Sequence, residues 1–226
     1  EQLFYNCSSL KTLEIPCFDT SNVNNMNSMF YQCSELTSLN LSTFDTNQVT
    51  DMAFMFYKCY KLKSLDLRTF NTAEVTSMNS MFYECINLTS LELGQYHPKK
   101  ISDVGSMFYN CQYLISLNFN FFNNLTISNM TLMFYNCFSL TSLVFSTHQI
   151  SGITNMAKMF YNCASLNSLN IDNFNTNEVS DMNQMFFQCT SLEYLNLSKW
   201  ETSDKLENID NMFYGCYSLQ NIEMTS

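Results

Sequence analysis

Glycine and proline are scarce in this chain: 4 and 2 among 226 residues leave no room for a flexible linker, so a single unit is expected over residues 1–226. Basic residues are few as well. Ten Lys and Arg stand against 20 Asp and Glu, a net charge of −10 that argues against a nucleic-acid partner. No run of eighteen apolar residues occurs, so no transmembrane helix lies in this stretch, and no basic-plus-apolar leader precedes it. Glycine-rich phosphate loops are absent, and no C-x-x-C or Cys/His pair has zinc spacing. His97 and His148 have no Ser or Cys in register to activate, which makes both loop residues rather than catalytic bases. Neither an enzyme nor a cofactor or metal site is expected.

What is abundant is order. Cys7, Cys33, Cys59, Cys85, Cys111, Cys137, Cys163 and Cys189 fall 26 residues apart, and Cys216 follows after 27. A period of that size marks a stacked-repeat solenoid, in which equivalent residues form columns. Three residues past each of these cysteines comes a leucine, and an aromatic stands at plus eleven except where His148 replaces it. A valine or isoleucine follows at plus sixteen, methionine dominates plus nineteen and plus twenty-two, and phenylalanine follows at plus twenty-three. Fourteen of the 15 methionines sit in those two columns, so Met is a positional choice here.

Each repeat carries two periodicities. Val49, Met52, Met55, Phe56, Cys59 and Leu62 are spaced to share one face of a helix, whereas Ser64-Leu65-Asp66-Leu67-Arg68 alternates as a half-exposed strand does. The expected fold is an α/β solenoid of about nine 26-residue rungs, with a parallel sheet on one face and short helices on the other. At roughly 4.8 Å per rung its length is on the order of 40 Å. Glu1 begins two residues before Leu3, a Met-column position, and Ser226 stops one residue short of the next loop aromatic. With no polar cap at either end, a segment of a longer array, or a solenoid whose ends abut something else, is expected.

The L-x-x-L-x-L segments resemble leucine-rich repeats. Met55-Phe56-Tyr57-Lys58-Cys59, then Leu62 through Thr72, then Val75-Thr76-Ser77-Met78, is similar to the repeat unit of BspA-like leucine-rich-repeat surface proteins, and the resemblance runs the length of the chain. It implies a bacterial or protist cell surface and adhesion or matrix binding, with a protein or glycan ligand. The unit departs from the pattern at Gly94 through Lys100 and at His148, which bears on loop shape rather than fold.

The cysteine column reads as small buried thiols, with a disulfide ladder as the alternative and Cys17 as its one off-column partner. Acids at the mid-strand column (Glu14, Asp66, Glu92, Glu223) are interrupted by amides and Val144, so no continuous carboxylate row exists. Tyr5, Tyr31, Tyr57, Tyr83, Tyr109, Tyr135, Tyr161, Phe187 and Tyr214 form a column expected to point outward, either as a self-stacked ridge or as a contact surface. From Val104 to Ile171 the only charged side chain is Lys158, and Ile115, Phe121, Phe138, Val144 and Ile150 replace residues that are polar in most units. Those five form a candidate interface patch, unless drift among repeats has turned some inward. Six N-glycosylation sequons, at Asn6, Asn40, Asn87, Asn124, Asn129 and Asn196, match about what chance supplies. The preferred function is a non-catalytic extracellular or cell-surface recognition module. A structural block that stacks into fibres or a surface layer, using copies of itself as partner, is the alternative.

Overall fold

The structure, a computed structural model, describes residues 2–15, 18–93, 98–119, 125–145, 148–201 and 204–224. It is a parallel β-solenoid of about eight turns rather than the nine rungs expected, because nine in-register cysteines bound only eight complete periods. Among the described residues nine short strands line one face: β1 (Thr12–Leu13), β2 (Ser38–Leu39), β3 (Ser64–Asp66), β4 (Ser90–Glu92), β5 (Ser116–Phe119), β7 (Ser142–Phe145), β9 (Ser168–Asn170), β10 (Tyr194–Asn196) and β11 (Asn221–Glu223). Pairing keeps each column in register, as in Leu65↔Leu91, Leu117↔Leu143 and Leu195↔Ile222. Two further strands, β6 (Leu125–Thr126) and β8 (Ile150–Ser151), pair with each other, and single parallel bridges run from Asn25 to Asn208 through every turn between them.

No helix occurs among the described residues, which corrects the expected helical layer. The segment before each cysteine is a chain of tight turns, and its amides alternate in purpose. Met29, Tyr31 and Cys33 donate back three residues within the rung, to the carbonyls of Met26, Ser28 and Phe30. The intervening Ser28, Phe30 and Gln32 donate forward, to Ala53, Met55 and Tyr57 of the next rung, at 2.7–3.0 Å. A helix would send every amide to its own segment. Here two residues per rung are left-handed, Ser28 at φ 58° and Gln32 at φ 56°, and each equivalent pair along the chain repeats this. Left-handed backbone is incompatible with a continuing helix of L-residues. The three-residue spacing of apolar residues arises from successive turns, which place every third side chain inward as a helix would.

One column of phenylalanines fills the centre: Phe30, Phe56, Phe82, Phe108, Phe134, Phe160 and Phe186 are all fully buried and stack at 5.2–5.6 Å. Methionine, leucine and cysteine columns pack around it. All nine in-register cysteines are free; Cys33 through Cys189 are buried, whereas Cys7 is exposed and Cys216 half-buried, because each end of the column lacks a rung to cover it. Each thiol from Cys33 to Cys216 donates to the carbonyl of a phenylalanine in the preceding rung, at 3.0–3.2 Å. Cysteine suits the column because it is compact, apolar and still a weak donor.

A threonine column is polar in composition yet buried in place. Thr46 Oγ1 donates to the Asn71 carbonyl at 3.0 Å and accepts from the Asn71 amide at 2.7 Å, and Thr20 and Thr176 repeat the pair one rung on. Ile150 occupies this column, where it is fully buried and bridges to Phe174 of the next rung rather than forming part of an outer patch. Its apolar character replaces a buried threonine. Thr46→Val should therefore strand both Asn71 backbone groups and cost about 1–3 kcal/mol, read as a lower urea midpoint with an unchanged slope.

Candidate functional site

The sheet face offers the broadest run of exposed columns. Ser38, Ser64, Ser90, Ser116, Ser142 and Ser168 open their strands in register, each exposed, until Tyr194 takes the position in β10. Over β7, β9 and β10 this face dips into a shallow groove of about 820 Å³ lined by Ser142, Val144, Ser168, Asn170 and Tyr194. Ile115 is 53% exposed and Val144 47%, one on each side of the serine column. Phe138 lies half-buried at the corner leading into the face and meets exposed Tyr113 edge-on at 6.2 Å. Phe121 lies outside the described residues. Of the five patch residues, then, Ile115 and Val144 share the open face, Phe138 sits at its corner, and Ile150 is in the core.

Sequence reasoning passed over Tyr113 and Tyr194. Both were legible as aromatics in columns otherwise held by serine or other polar residues, a departure as informative as Ile115. The Tyr194 hydroxyl is hydrogen-bonded to Glu223 across the rung, which together with burial pushes its pKa up. Flanking rungs carry charge in pairs: Lys61 holds Glu35 at 2.8 Å, Lys100 holds Glu74 at 2.6 Å, and Lys199 holds Asp172 at 2.7 Å, each joining adjacent turns.

The tyrosine column is a continuous stack. From Tyr5 to Tyr214, with Phe187 in line, neighbouring centroids lie 4.4–4.9 Å apart and the rings are within 16° of parallel. Tyr5 and Tyr214 are exposed, and the rings between them are half-buried. Stacking covers both faces of each inner ring, so the ridge presents edges and hydroxyls rather than the open faces on which a sugar or proline would lie. Desolvation, with repulsion from the Glu84 carboxylate at Tyr57 and Tyr83 and from neighbouring phenolates, raises the pKa of Tyr57, Tyr83 and Tyr135.

The sequons differ in what the backbone asks of them. Asn129 is half-buried, with Nδ2 given to Asp103 at 2.9 Å and Oδ1 accepting the Thr131 amide at 3.0 Å. Asn40 and Asn196, on the sheet face, accept the amide two residues on at 3.0 and 2.8 Å. Asn87 is exposed with Nδ2 on the Tyr60 carbonyl, Asn6 is exposed, and Asn124 lies outside the described residues. His148 is exposed, and His97 and Cys17 lie outside the described residues. Among the described residues no group of three His, Cys, Asp or Glu is placed to hold a metal, and no helix is long and apolar enough to cross a membrane.

No curated protein matches the chain. Solved structures that it resembles include a leucine-rich repeat protein from Bacteroides ovatus, 19% identical, covering 98% of this chain and 62% of that one at a TM-score of 0.48. A leucine-rich cell surface protein from Faecalibacterium prausnitzii is 19% identical over 99% of this chain and 75% of that one, TM-score 0.35. An internalin from Listeria monocytogenes is 18% identical over 97% and 56%, TM-score 0.41. The chain thus spans less than two thirds of the Bacteroides and Listeria chains, and at these identities the likenesses say nothing about a ligand. A family profile described as "Mycoplasma protein of unknown function, DUF285" matches residues 1–119 and 128–225. With all but a short loop of its length covered by that match, the chain belongs to the DUF285 family.

Proposed function

We propose that this solenoid is a non-catalytic recognition module, displayed outside the cell or at its surface, that binds a protein through the middle of its sheet face. One observation carries the reading. Over the 68 residues from Val104 to Ile171 only Lys158 is charged, and within that span Ile115 and Val144 stand about half exposed on a rigid, hydrogen-bonded face. Exposed aliphatic side chains in a charge-free zone gain free energy when a partner covers them, and the preformed backbone has little entropy to lose. Paired charges on the flanking rungs keep those rungs solvated.

Light scattering on the purified chain, followed by binding to immobilised matrix proteins and a glycan array, tests this. The expected result is a discrete monomer that binds a protein surface saturably, weakened at least tenfold by Ile115→Asp with Val144→Asp. Fibres or end-to-end ladders in place of monomers would replace the reading with a structural building block.

A further inference from the structure

The serine column gives the sheet face a direction. Over β7, β9 and β10 its small side chains floor a trough along the solenoid axis, lined on one side by Val144 and Asn170 and on the other by Thr141 and Asn167, with Tyr194 at one end; exposed Ile115 stands one rung beyond the other end. From Ser116 to Tyr194 is three rung steps, about 14 Å, the reach of roughly four residues of extended chain. Tyr194 is flanked within its own rung and the next by exposed Glu193 and Glu223, and neither carboxylate joins an ion pair among the described residues. The nearby cation Lys199 is already held by Asp172. The closed end of the trough is therefore negative and its body neutral and greasy.

We infer that the trough over β7, β9 and β10, continued onto exposed Ile115 beside β5, seats an uncharged, apolar segment of a protein partner whose lysine or arginine meets Glu193 and Glu223 beside Tyr194. The inference rests on the recognition reading and narrows it to one surface and one partner chemistry. Apolar side chains of the segment cover Ile115 and Val144, and the serines below let its backbone approach closely. Two carboxylates at one end fix the direction in which the segment lies, because a cation gains there and an anion is repelled. Two charges at such a half-exposed end are screened, so the discrimination weakens as salt rises.

The probe is a fluorescein-labelled nonapeptide of alternating serine and leucine that ends in Lys-Arg, compared at low salt with the same peptide ending in Glu-Asp. The expected result is saturable binding of the basic form, at least tenfold tighter than the acidic form. Glu193→Gln with Glu223→Gln should reduce that preference to about twofold. Ser168→Trp, an exposed substitution that fills the floor, should abolish binding of both forms while the melting temperature is unchanged. Equal binding of the two peptides, no saturable binding, or binding indifferent to Ser168→Trp overturns the inference. So does concentration-dependent dimerisation that Ser168→Trp abolishes, since a second copy would then be the occupant. If the matrix panel binds wild type and Ser168→Trp equally, recognition stands and the trough falls. If neither panel nor peptide binds, both fall.

Discussion

By pH 10 the protein is expected to unfold cooperatively, although nothing in its surface charge suggests such fragility. Cys59, Cys85, Cys111, Cys137, Cys163 and Cys189 are buried, and desolvation holds each thiol far above its ordinary value. Cys33, nearer one end, is pushed up to about 11, again chiefly by burial. A pKa raised on folding means the folded chain keeps a proton that the unfolded chain releases. The stabilisation is present in full below the unfolded value of about 8.5, and is lost as pH climbs from there toward the folded values. At pH 10 each buried thiol removes about 2 kcal/mol, so six together remove roughly 12 kcal/mol, comparable with the whole stability of a typical domain. The raised tyrosines add a loss of the same sign at higher pH. Circular dichroism from pH 7 to 11 reads the transition, and survival of the native spectrum through pH 11 would sink the account. Replacing Cys85, Cys111 and Cys137 with alanine should remove about 6 kcal/mol of the loss at pH 10, somewhat under half of the dependence on pH, whatever it does to stability at pH 7.

The second large effect lies in the inner ring column. Phe108 is fully buried with Phe82 at 5.2 Å on one side, Phe134 at 5.5 Å on the other and Phe119 edge-on at 5.8 Å. Phe108→Ala removes a ring whose neighbours are fixed by their own rungs and cannot close the gap. The expected cost is about 3–5 kcal/mol, with a fall in urea midpoint to match. Tyr109→Ala, one residue away in the half-buried outer stack, should cost about 1–2 kcal/mol, since part of that ring is already in water. Equal losses at the two positions would mean that the outer stack, rather than the inner one, holds neighbouring rungs together.

Much of this architecture was legible because a fixed period lets weak signals add. The cysteine spacing located every column, and the alternation of Ser64-Leu65-Asp66 placed the sheet face correctly. The helical layer failed because a string of three-residue turns and a helix put apolar side chains inside at the same spacing. A signal against the helix was present: the residue before the cysteine is Asn6, Asn110, Asn136, Asn162 or Gly215 at five of the nine in-register cysteines. Those are the residue types that tolerate left-handed backbone, and all five adopt it. Ile150 was misplaced for another reason. Composition marks its column as polar, but the hydroxyls there bond inward to backbone, so an apolar replacement signals interior rather than surface. At the site, the exposure of Ile115 and Val144 could be read from column alone, whereas the groove required knowing how strands β7, β9 and β10 sit side by side.

Three kinds of bond that join one turn to the next recur at fixed offsets: thiol to carbonyl, threonine to backbone, amide to the following rung. Such a lattice records position around a rung without recording which rung it is. A turn that docked on the next but one, looping its neighbour out, would find nearly all its partners waiting. The address of each rung is written in the exceptions. Phe119 stacks on Phe145 at 5.8 Å where other rungs pair smaller aliphatic residues, and the Trp200 indole donates to the Ile171 carbonyl at 2.9 Å. Lys61 with Glu35 and Lys100 with Glu74 match single pairs of turns. The irregular residues that interrupt the repeat are thus the ones that keep count, and a sequence perfected to its own consensus would lose the means to tell its floors apart.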